Sequence, residues 1–530
     1  MPSRLPPLLA GALLASGSPL LALESTSTVG PRALGMGGAN VASTKDTTAQ
    51  YYNPAAFGFM ANAMDEDDEV TADNGGLGDK RFGLGIIDAT GGATFTGDLA
   101  DLVSQVSDID IDALSNADQL GEDDIEDIIT LAGLLPQLDD PNKAVLFDGN
   151  AGSGMRIGHL AVGVRLFGEA AGLVNELDTI KLGLDFDTAQ VRDEIVNAAS
   201  TDGDYASSPQ NTGGGFQTLD PDEQDAIADS LGLADPNDTA VFYIDYQLSL
   251  AVDDGTITAD QVHQTTDLLV NGFAATDGTS PTDTLNNLEN NTTTVVVRGL
   301  VLAEVPVSYG YAINENLAVG ATGKFMLGRV SGAAVRVFDD DSHDVIENMD
   351  QEYEETIGYG VDVSVLYRVD NLQLGAIGRN LNAPTFDGFA FEQDVNDDGV
   401  VTPDERYAIE DIQVDPQVTI GAAFMPTRTI VLEASADLLE VDTVLPGYAE
   451  QFVRGGVEWD VFRFLALRAG AYQNLAEDDI DMVATLGIGL NFWLMRVDLA
   501  VAGSPWDTVE IEGDDYPESL RGSLGVAMDF

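Results

Sequence analysis

The chain has 530 residues, with 90 Asp and Glu against 23 Lys and Arg, a net charge of −67, three histidines and no cysteine. A polyanion of this strength without a concentrated basic patch argues against direct nucleic acid binding. Without cysteine, and with its histidines far apart, the chain has no means of forming a disulfide framework, a thiolate nucleophile or a Cys- or His-rich metal centre.

Arg4 precedes the apolar run Leu5 to Leu14, then Ser16-Gly17-Ser18-Pro19 and a small-residue exit at Ala22. This is the order of a secretory signal peptide, so residues 1–22 are predicted to be a targeting segment. No later apolar run reaches the ~18 residues of a membrane-spanning helix. An exported chain of this kind can still enter a membrane as strands.

Residues 23–80 form a glycine-rich N-terminal segment, and residues 81–150 are read as an acidic helical segment. Within the latter, Leu99, Leu102, Val103 and Val106, then Ile125, Ile128 and Ile129, recur at helical spacing. Residues 151–530 are predicted to be β-structure interrupted by an insertion at 188–293. In that insertion Asp220-Pro221-Asp222-Glu223 reads as an N-cap, a Pro at the first helical position and a capping-box Glu. Thr258-Ala259-Asp260-Gln261 repeats the pattern for a helix through Leu269, and Ser207 to Gly215 reads as a loop.

The strands are clearest late in the chain. Leu520, Leu524, Val526, Met528 and Phe530 alternate with small or polar residues, as do Met495, Val497, Leu499 and Val501. The same period of two runs through Met482 to Leu490, Ile430 to Ala436 and Val361 to Tyr367, which no helix sustains. Short turns near 314–316, 370–371, 426–427 and 460–461 alternate with long connections at 338–352, 382–411, 440–450, 474–479 and 504–518. A soluble sandwich has the alternation of residues but no reason for the alternation of loop lengths. Eleven strands from about Val301, with Gly152 to Gly158, Leu160 to Gly168 and Leu173 to Phe186, give an all-β fold: a transmembrane antiparallel β-barrel of about 14 strands. By chain parity the insertion joins two strands on the outer side, as an α-helical, acidic extracellular cap. The terminal Phe530 resembles the signature that the barrel assembly machinery reads, making that machinery and the surrounding outer-membrane lipid expected partners.

Asp394-Val-Asn396-Asp-Asp398-Gly399-Val400-Val-Thr402-Pro-Asp-Glu405 matches a calcium-loop pattern. Side-chain oxygens of Asp394, Asn396, Asp398, Thr402 and Glu405, with the Val400 carbonyl, would surround a structural calcium ion, and glycine at the sixth position supplies the turn. The similar Asp253-Asp254-Gly255 lacks the preceding acids. No G-x-S-x-G, H-E-x-x-H or Walker-type motif is present, and Ser153 with His159 lacks a third partner, so no enzyme is predicted. Arg454, Arg468, Arg496 and Asp498 alternate inward on predicted strands, where they should pair with each other. Only five of the basic residues are Lys, and such an acidic surface suits either hydration in concentrated salt, as in a halophile, or suppression of self-association.

Gly30-Pro-Arg-Ala-Leu-Gly-Met-Gly-Gly-Ala, followed by Tyr52-Asn53-Pro54-Ala55, resembles the N-terminal signature of FadL-type long-chain fatty-acid transporters. Among their relatives the whole chain looks most like the conjugal transfer TraF-like outer-membrane family, including Phe452-Val-Arg-Gly-Gly-Val-Glu-Trp459 and Leu467-Arg-Ala-Gly-Ala-Tyr472. The resemblance implies that residues 23–80 fold inside the barrel as a luminal plug, with Asn53, Pro54 and Ala55 beside a lipid path. It implies a passive channel or binding protein for hydrophobic small molecules in the outer membrane of a Gram-negative bacterium. The alternative it carries is an envelope component of conjugal transfer or secretion that acts through protein contacts.

Overall fold

Strands with one apolar and one small or polar face close on themselves when every edge can find a partner, and fourteen do so here. The computed structural model describes residues 28–60, 82–97, 99–107, 109, 122–139, 143–176, 188–274, 293–336, 352–394, 401–462, 464–492, 495–511 and 514–529. In chain order the barrel strands are β1 (Phe82–Phe95), β2 (Ala144–Ile157), β3 (Leu160–Glu176), β4 (Thr294–Ala312), β5 (Leu317–Arg336), β6 (Tyr353–Val369) and β7 (Leu372–Arg379). They continue as β8 (Gln417–Thr427), β9 (Ile430–Asp437), β10 (Phe452–Val461), β11 (Leu465–Asn474), β12 (Val483–Phe492), β13 (Met495–Gly503) and β14 (Ser519–Asp529). Each pairs antiparallel with its sequence neighbours, and β1 closes the ring on β14 in a ladder from Gly83↔Asp529 to Thr94↔Ser519.

The number of strands agrees with the sequence reading, but one strand differs. The barrel begins at Phe82, inside the stretch read as acidic and helical, rather than at residue 151. Leu173 opens no strand of its own: Leu173 to Glu176 finish β3, and residues 177–187 lie outside the described residues. β1 hides from pattern reading because its inward face is Asp88, Thr90 and glycine rather than an apolar or evenly polar row.

Outward faces are apolar. On β6, Ile357, Tyr359, Val361, Val363, Val365 and Tyr367 point out, while Gly358, Gly360, Asp362, Ser364 and Leu366 point in. Burial of such side chains contributes about 1.5–3 kcal/mol each, so a whole ring of them left in water is untenable and hydrocarbon must cover it. Tyr309, Tyr311, Tyr367, Phe424, Trp459 and Phe492 stand exposed near the short turns, an aromatic belt of the kind that marks a membrane–water boundary. Phe462 and Phe464 stack below it with centroids 6.2 Å apart.

The short connections lie at the end where β1 begins and β14 finishes; the long ones leave the other end. Two long connections build one helical cap. Helices Leu99–Ser107 and Glu122–Leu134 from the first pack with Thr188–Thr201, Pro221–Ser230, Thr239–Asp254 and Val262–Ala274 from the second. Leu131, Leu134, Ile195, Ile227, Ile244 and Leu269 belong to their common core. The acidic segment and the insertion are therefore one body. The predicted capping box forms: Asp220 accepts from the Glu223 N–H at 2.9 Å, and Glu223 accepts from the Asp220 N–H at 2.7 Å. Gln261 accepts from the Thr258 N–H at 2.7 Å just before the next predicted helix. Helix Thr239–Asp254 was not anticipated; it carries Asp245, whose buried carboxylate accepts the N–H groups of Gln217, Thr218 and Leu219 at 2.7–2.9 Å.

Candidate ligand path through the barrel

The lumen is filled from the N-terminus. Short helices Pro31–Gly35, Ala49–Tyr52 and Ala56–Met60 are buried and touch walls on different sides of the ring. This is the expected plug; residues 61–81 lie outside the described residues. Of the motif residues, Asn53 is fully buried and donates from Nδ2 to the Val41 carbonyl at 2.9 Å and the Val365 carbonyl at 3.1 Å. The Ala55 N–H bonds Ser364 Oγ of β6 at 2.9 Å. Pro54 and Ala55 lie so close to Gly320 of β5 that a Cβ there would overlap their backbone. Gly37, at φ +66°, likewise meets Ala471 and Gly455, and its N–H reaches Thr485 Oγ1 at 3.0 Å. Asn53, Pro54 and Ala55 thus fasten the plug to the wall.

Charges make a second fastening. Glu458 of β10 accepts from Arg32 Nε at 3.0 Å, Lys45 Nζ at 3.1 Å and Arg468 Nε at 2.7 Å, all deep in the lumen. Arg468 also holds Asp498 at 2.6 Å, Asp498 holds Arg496 at 2.7 Å, and Arg496 pairs with Asp46 of the plug. Arg454 pairs with Asp437 at 2.8 Å. Burial pushes the Asp46 carboxyl up, but Arg496 and the Thr48 hydroxyl beside it pull harder, leaving it well below the usual carboxylate range. Glu433 of β9 adds an anchor by accepting the N–H groups of Ala42 at 2.7 Å and Ser43 at 3.1 Å. The inward charges do pair among themselves, as their spacing suggested; the plug residues Arg32, Lys45 and Asp46 in the same network were not foreseen.

Above this ionic floor apolar side chains gather beside buried charges such as the Lys324–Asp362 pair, at 2.9 Å. One buried cluster runs from Phe386 and Ile409 at the mouth through Met326, Leu302 and Phe167 to Tyr51, Tyr52 and Val29 of the plug. Arg165 lies over the Tyr51 ring at 4.9 Å while bonded to Asp88 of β1 at 2.5 Å. Val29 also lines a cavity of about 30 Å³ that Gly85, Ile87 and Val526 share with Arg32, Asp46, Asp88, Arg496 and Asp498 of the ionic network. At that point the β1 ladder slips: its register shifts between Gly85 and Asp88 against β2, and between Gly85 and Ile87 against β14. Ile86 and Ile87 are left exposed on the outer surface. The apolar column therefore ends beside an irregularity in the wall.

Of the calcium-loop residues, Asn396, Asp398 and Val400 lie outside the described residues. Glu405 is buried and accepts from the Thr402 N–H at 2.7 Å and the Thr402 hydroxyl at 3.0 Å, closing a single 3-10 turn. Asp394 stands at the other end of the same connection, which joins paired segments Phe389–Glu392 and Arg406–Ile409. Ser153 donates to the Gly85 carbonyl at 2.8 Å and His159 Nδ1 meets the Phe57 carbonyl at 3.1 Å, so these two side chains hold backbone rather than each other.

An antiparallel barrel with an apolar outer belt, a buried N-terminal plug and a helical cap defines a plugged membrane β-barrel. The chain belongs to the family described as F plasmid transfer operon, TraF, protein, whose model matches residues 50–437. No curated protein matches it. Among solved structures it is similar to the toluene transporter TbuX of Ralstonia pickettii, with 11% identity, a TM-score of 0.43, and coverage of 94% of this chain and 98% of that one. The toluene transporter TodX of Pseudomonas putida gives 10%, 0.43, 96% and 99%, and a FadL homologue of Pseudomonas aeruginosa gives 11%, 0.43, 97% and 100%.

Proposed function

We propose that this protein is a non-enzymatic channel or binding protein for hydrophobic small molecules in the outer membrane of a Gram-negative bacterium. The apolar column inside the barrel carries this reading. A lumen that served only to hold its own wall together would be polar throughout, as the ionic floor is, and would not bring Phe167, Leu302 and Met326 together between mouth and plug. The proposed route enters among the long loops, descends the column to Tyr51 and Val29, and leaves sideways at the β1 irregularity, where Ile86 and Ile87 meet lipid. Such a route needs no energy source, because the solute moves between apolar surroundings. The signal segment would deliver the chain to the envelope, and Phe530 would present it to the barrel assembly machinery.

The test is uptake of a labelled long-chain fatty acid and of a labelled monoaromatic hydrocarbon by a deletion strain and by the complemented strain. Uptake that falls in the deletion and returns with the intact gene supports the reading. Equal uptake of both solutes in both strains overturns it and leaves the scaffold role in conjugal transfer as the account to pursue.

A further inference from the structure

The cations of the ionic floor each sit on a carboxylate; Arg379, the last residue of β7, does not. It shares the inner face of β7 with Ile377 of the apolar cluster and is 5% exposed. Nη2 donates to Thr419 Oγ1 of β8 at 3.2 Å, and the buried Nε has no hydrogen-bond partner among the described residues. The carboxylates on the strands to either side are already engaged. Asp362 of β6 holds Lys324 Nζ at 2.9 Å and the Asn380 N–H at 2.9 Å. Asp437 of β9 holds Arg454 at 2.8 Å and accepts the Phe452 N–H at 3.2 Å and the Thr419 hydroxyl at 2.7 Å.

Two guanidinium groups therefore share one carboxylate, and Arg379 reaches it only through the Thr419 hydroxyl. Both lie close enough to Tyr52 of the plug to act on its hydroxyl, but that group is taken up by the Val29 backbone, at 2.7 Å to the N–H and 3.2 Å to the carbonyl. A buried Lys or carboxyl group can relieve itself by becoming neutral; a guanidinium keeps its proton and its charge. Burying such a charge without a counter-charge is among the costliest things a fold can do. A second polar group on this patch is also unsatisfied: Ser435 of β9 is buried, and its Oγ has no hydrogen-bond partner among the described residues. Just below, Gly375 of β7 and Gly421 of β8 lie against Val41 of the plug, so the patch stands directly above the plug's seat.

We propose that Arg379 is the receptor of an anion site on the inner wall of β7 to β9, which takes one small, singly charged anionic group. That group is either a free ion such as chloride or the carboxylate of an amphipathic molecule whose tail lies along Ile377 and Tyr52 in the apolar cluster. The proposal stands apart from the solute-passing reading, because the charge imbalance is there whether or not a solute moves. A single negative charge matches the single cation left over; a doubly charged group would strand a charge of its own. The planar fork of the guanidinium, with Nε uncommitted, suits a carboxylate held by two parallel bonds and also accepts a spherical halide.

An anion that binds the folded barrel alone raises its unfolding temperature in a saturable way. Heat unfolding of the purified full-length protein in detergent is followed against sodium chloride, sodium octanoate and, as the uncharged match, octan-1-ol, with sodium gluconate holding the ionic strength constant. The site predicts a saturable rise with chloride, octanoate or both, none with octan-1-ol, loss of the rise in Arg379→Gln, and its partial return in Arg379→Lys. A rise with chloride that octanoate does not reproduce identifies a free counter-ion; a rise with octanoate that chloride neither reproduces nor blocks identifies a head group. In gluconate alone Arg379→Gln should unfold at or above the temperature of the unsubstituted protein, since it removes a charge that has no partner. Absence of a rise with either anion, or an equal rise in Arg379→Gln, overturns the site and leaves the channel reading as it stands. Where Arg379→Gln fails to fold, an equal response to octanoate and octan-1-ol with none to chloride, in the unsubstituted protein, overturns it as well.

Discussion

Glu458 is the point at which the plug's attachment is most exposed to attack by one substitution. It meets three cations, Arg32 and Lys45 from the plug and Arg468 from the wall, with its side chain only 2% exposed. Glu458→Gln keeps the shape and removes the charge that Arg32, Lys45 and Arg468 share, while Arg468 keeps its second partner Asp498. Removing one partner of a buried pair costs about 3–5 kcal/mol, since the cost is that of the stranded charges. At about 1.4 kcal/mol per tenfold, opening of the plug should become roughly 10²- to 4 × 10³-fold more frequent. Hydrogen–deuterium exchange of residues 28–60, followed by mass spectrometry on protein in nanodiscs, reads this directly as faster amide exchange. The exposed pair Arg406–Glu392, at 3.1 Å and 59% exposed on each side, is the control, because Glu392→Gln should change stability by less than about 1 kcal/mol and leave the plug untouched. Plug exchange in Glu458→Gln within about threefold of the parent would refute the assignment of this network as the plug's principal anchor.

Gly320→Val should drive the plug off the wall, since even a Cβ overlaps Pro54 and Ala55, whereas Gly323→Ala on the same strand meets no atom within 4 Å and should be silent; plug exchange separates the two. The Asp46 contribution to plug protection should be lost as the pH falls below about 4. The Asp46 carboxyl lies below its unfolded value, so its contribution is present above that value and is lost as pH drops through the lower one. We propose calcium in the segment from Asp394 to Glu405: terbium luminescence on the purified barrel should show one site that disappears in Asp394→Ala with Glu405→Ala, and persistence of the signal would remove the claim. Protein from the outer-membrane fraction should change apparent mass on boiling, as a closed barrel does when it finally unfolds; an unchanged mobility would speak against membrane embedding.

The late strands were legible because their two faces answer to two different solvents. Met495, Val497, Leu499 and Val501 must satisfy lipid while Arg496 and Asp498 meet the plug, and that contrast is written in a strict period of two. β1 was not legible because both of its faces are compromised: glycine and Asp88 face the plug, and the register shift at Gly85 to Asp88 breaks the alternation halfway. The joint cap escaped notice because helical spacing identifies an apolar stripe but not its partner, which for Ile128 and Leu131 lies more than fifty residues away in the second insertion. Asn53, Pro54 and Ala55 could be singled out from the motif, yet only their contacts with Val41, Ser364 and Gly320 reveal that they fasten. The pairing of Phe389–Glu392 with Arg406–Ile409 has a trace in the sequence: Phe389-Ala-Phe391-Glu before the calcium pattern and Tyr407-Ala-Ile409 after it alternate as a hairpin must when one face is buried. The charge total gave no hint of the ionic floor, because the few cations that matter are buried beneath a surface dominated by carboxylates.

The central claim is that an apolar molecule travels inside this barrel rather than around it. The most direct test is a structure of the protein soaked with a brominated monoaromatic hydrocarbon, with bromine located by its anomalous signal. The account predicts bromine peaks in the lumen between Phe386 and Val29, within contact of Met326, Leu302 or Tyr51. Bromine confined to the lipid-facing surface, with the column unoccupied at saturating solute, would contradict it.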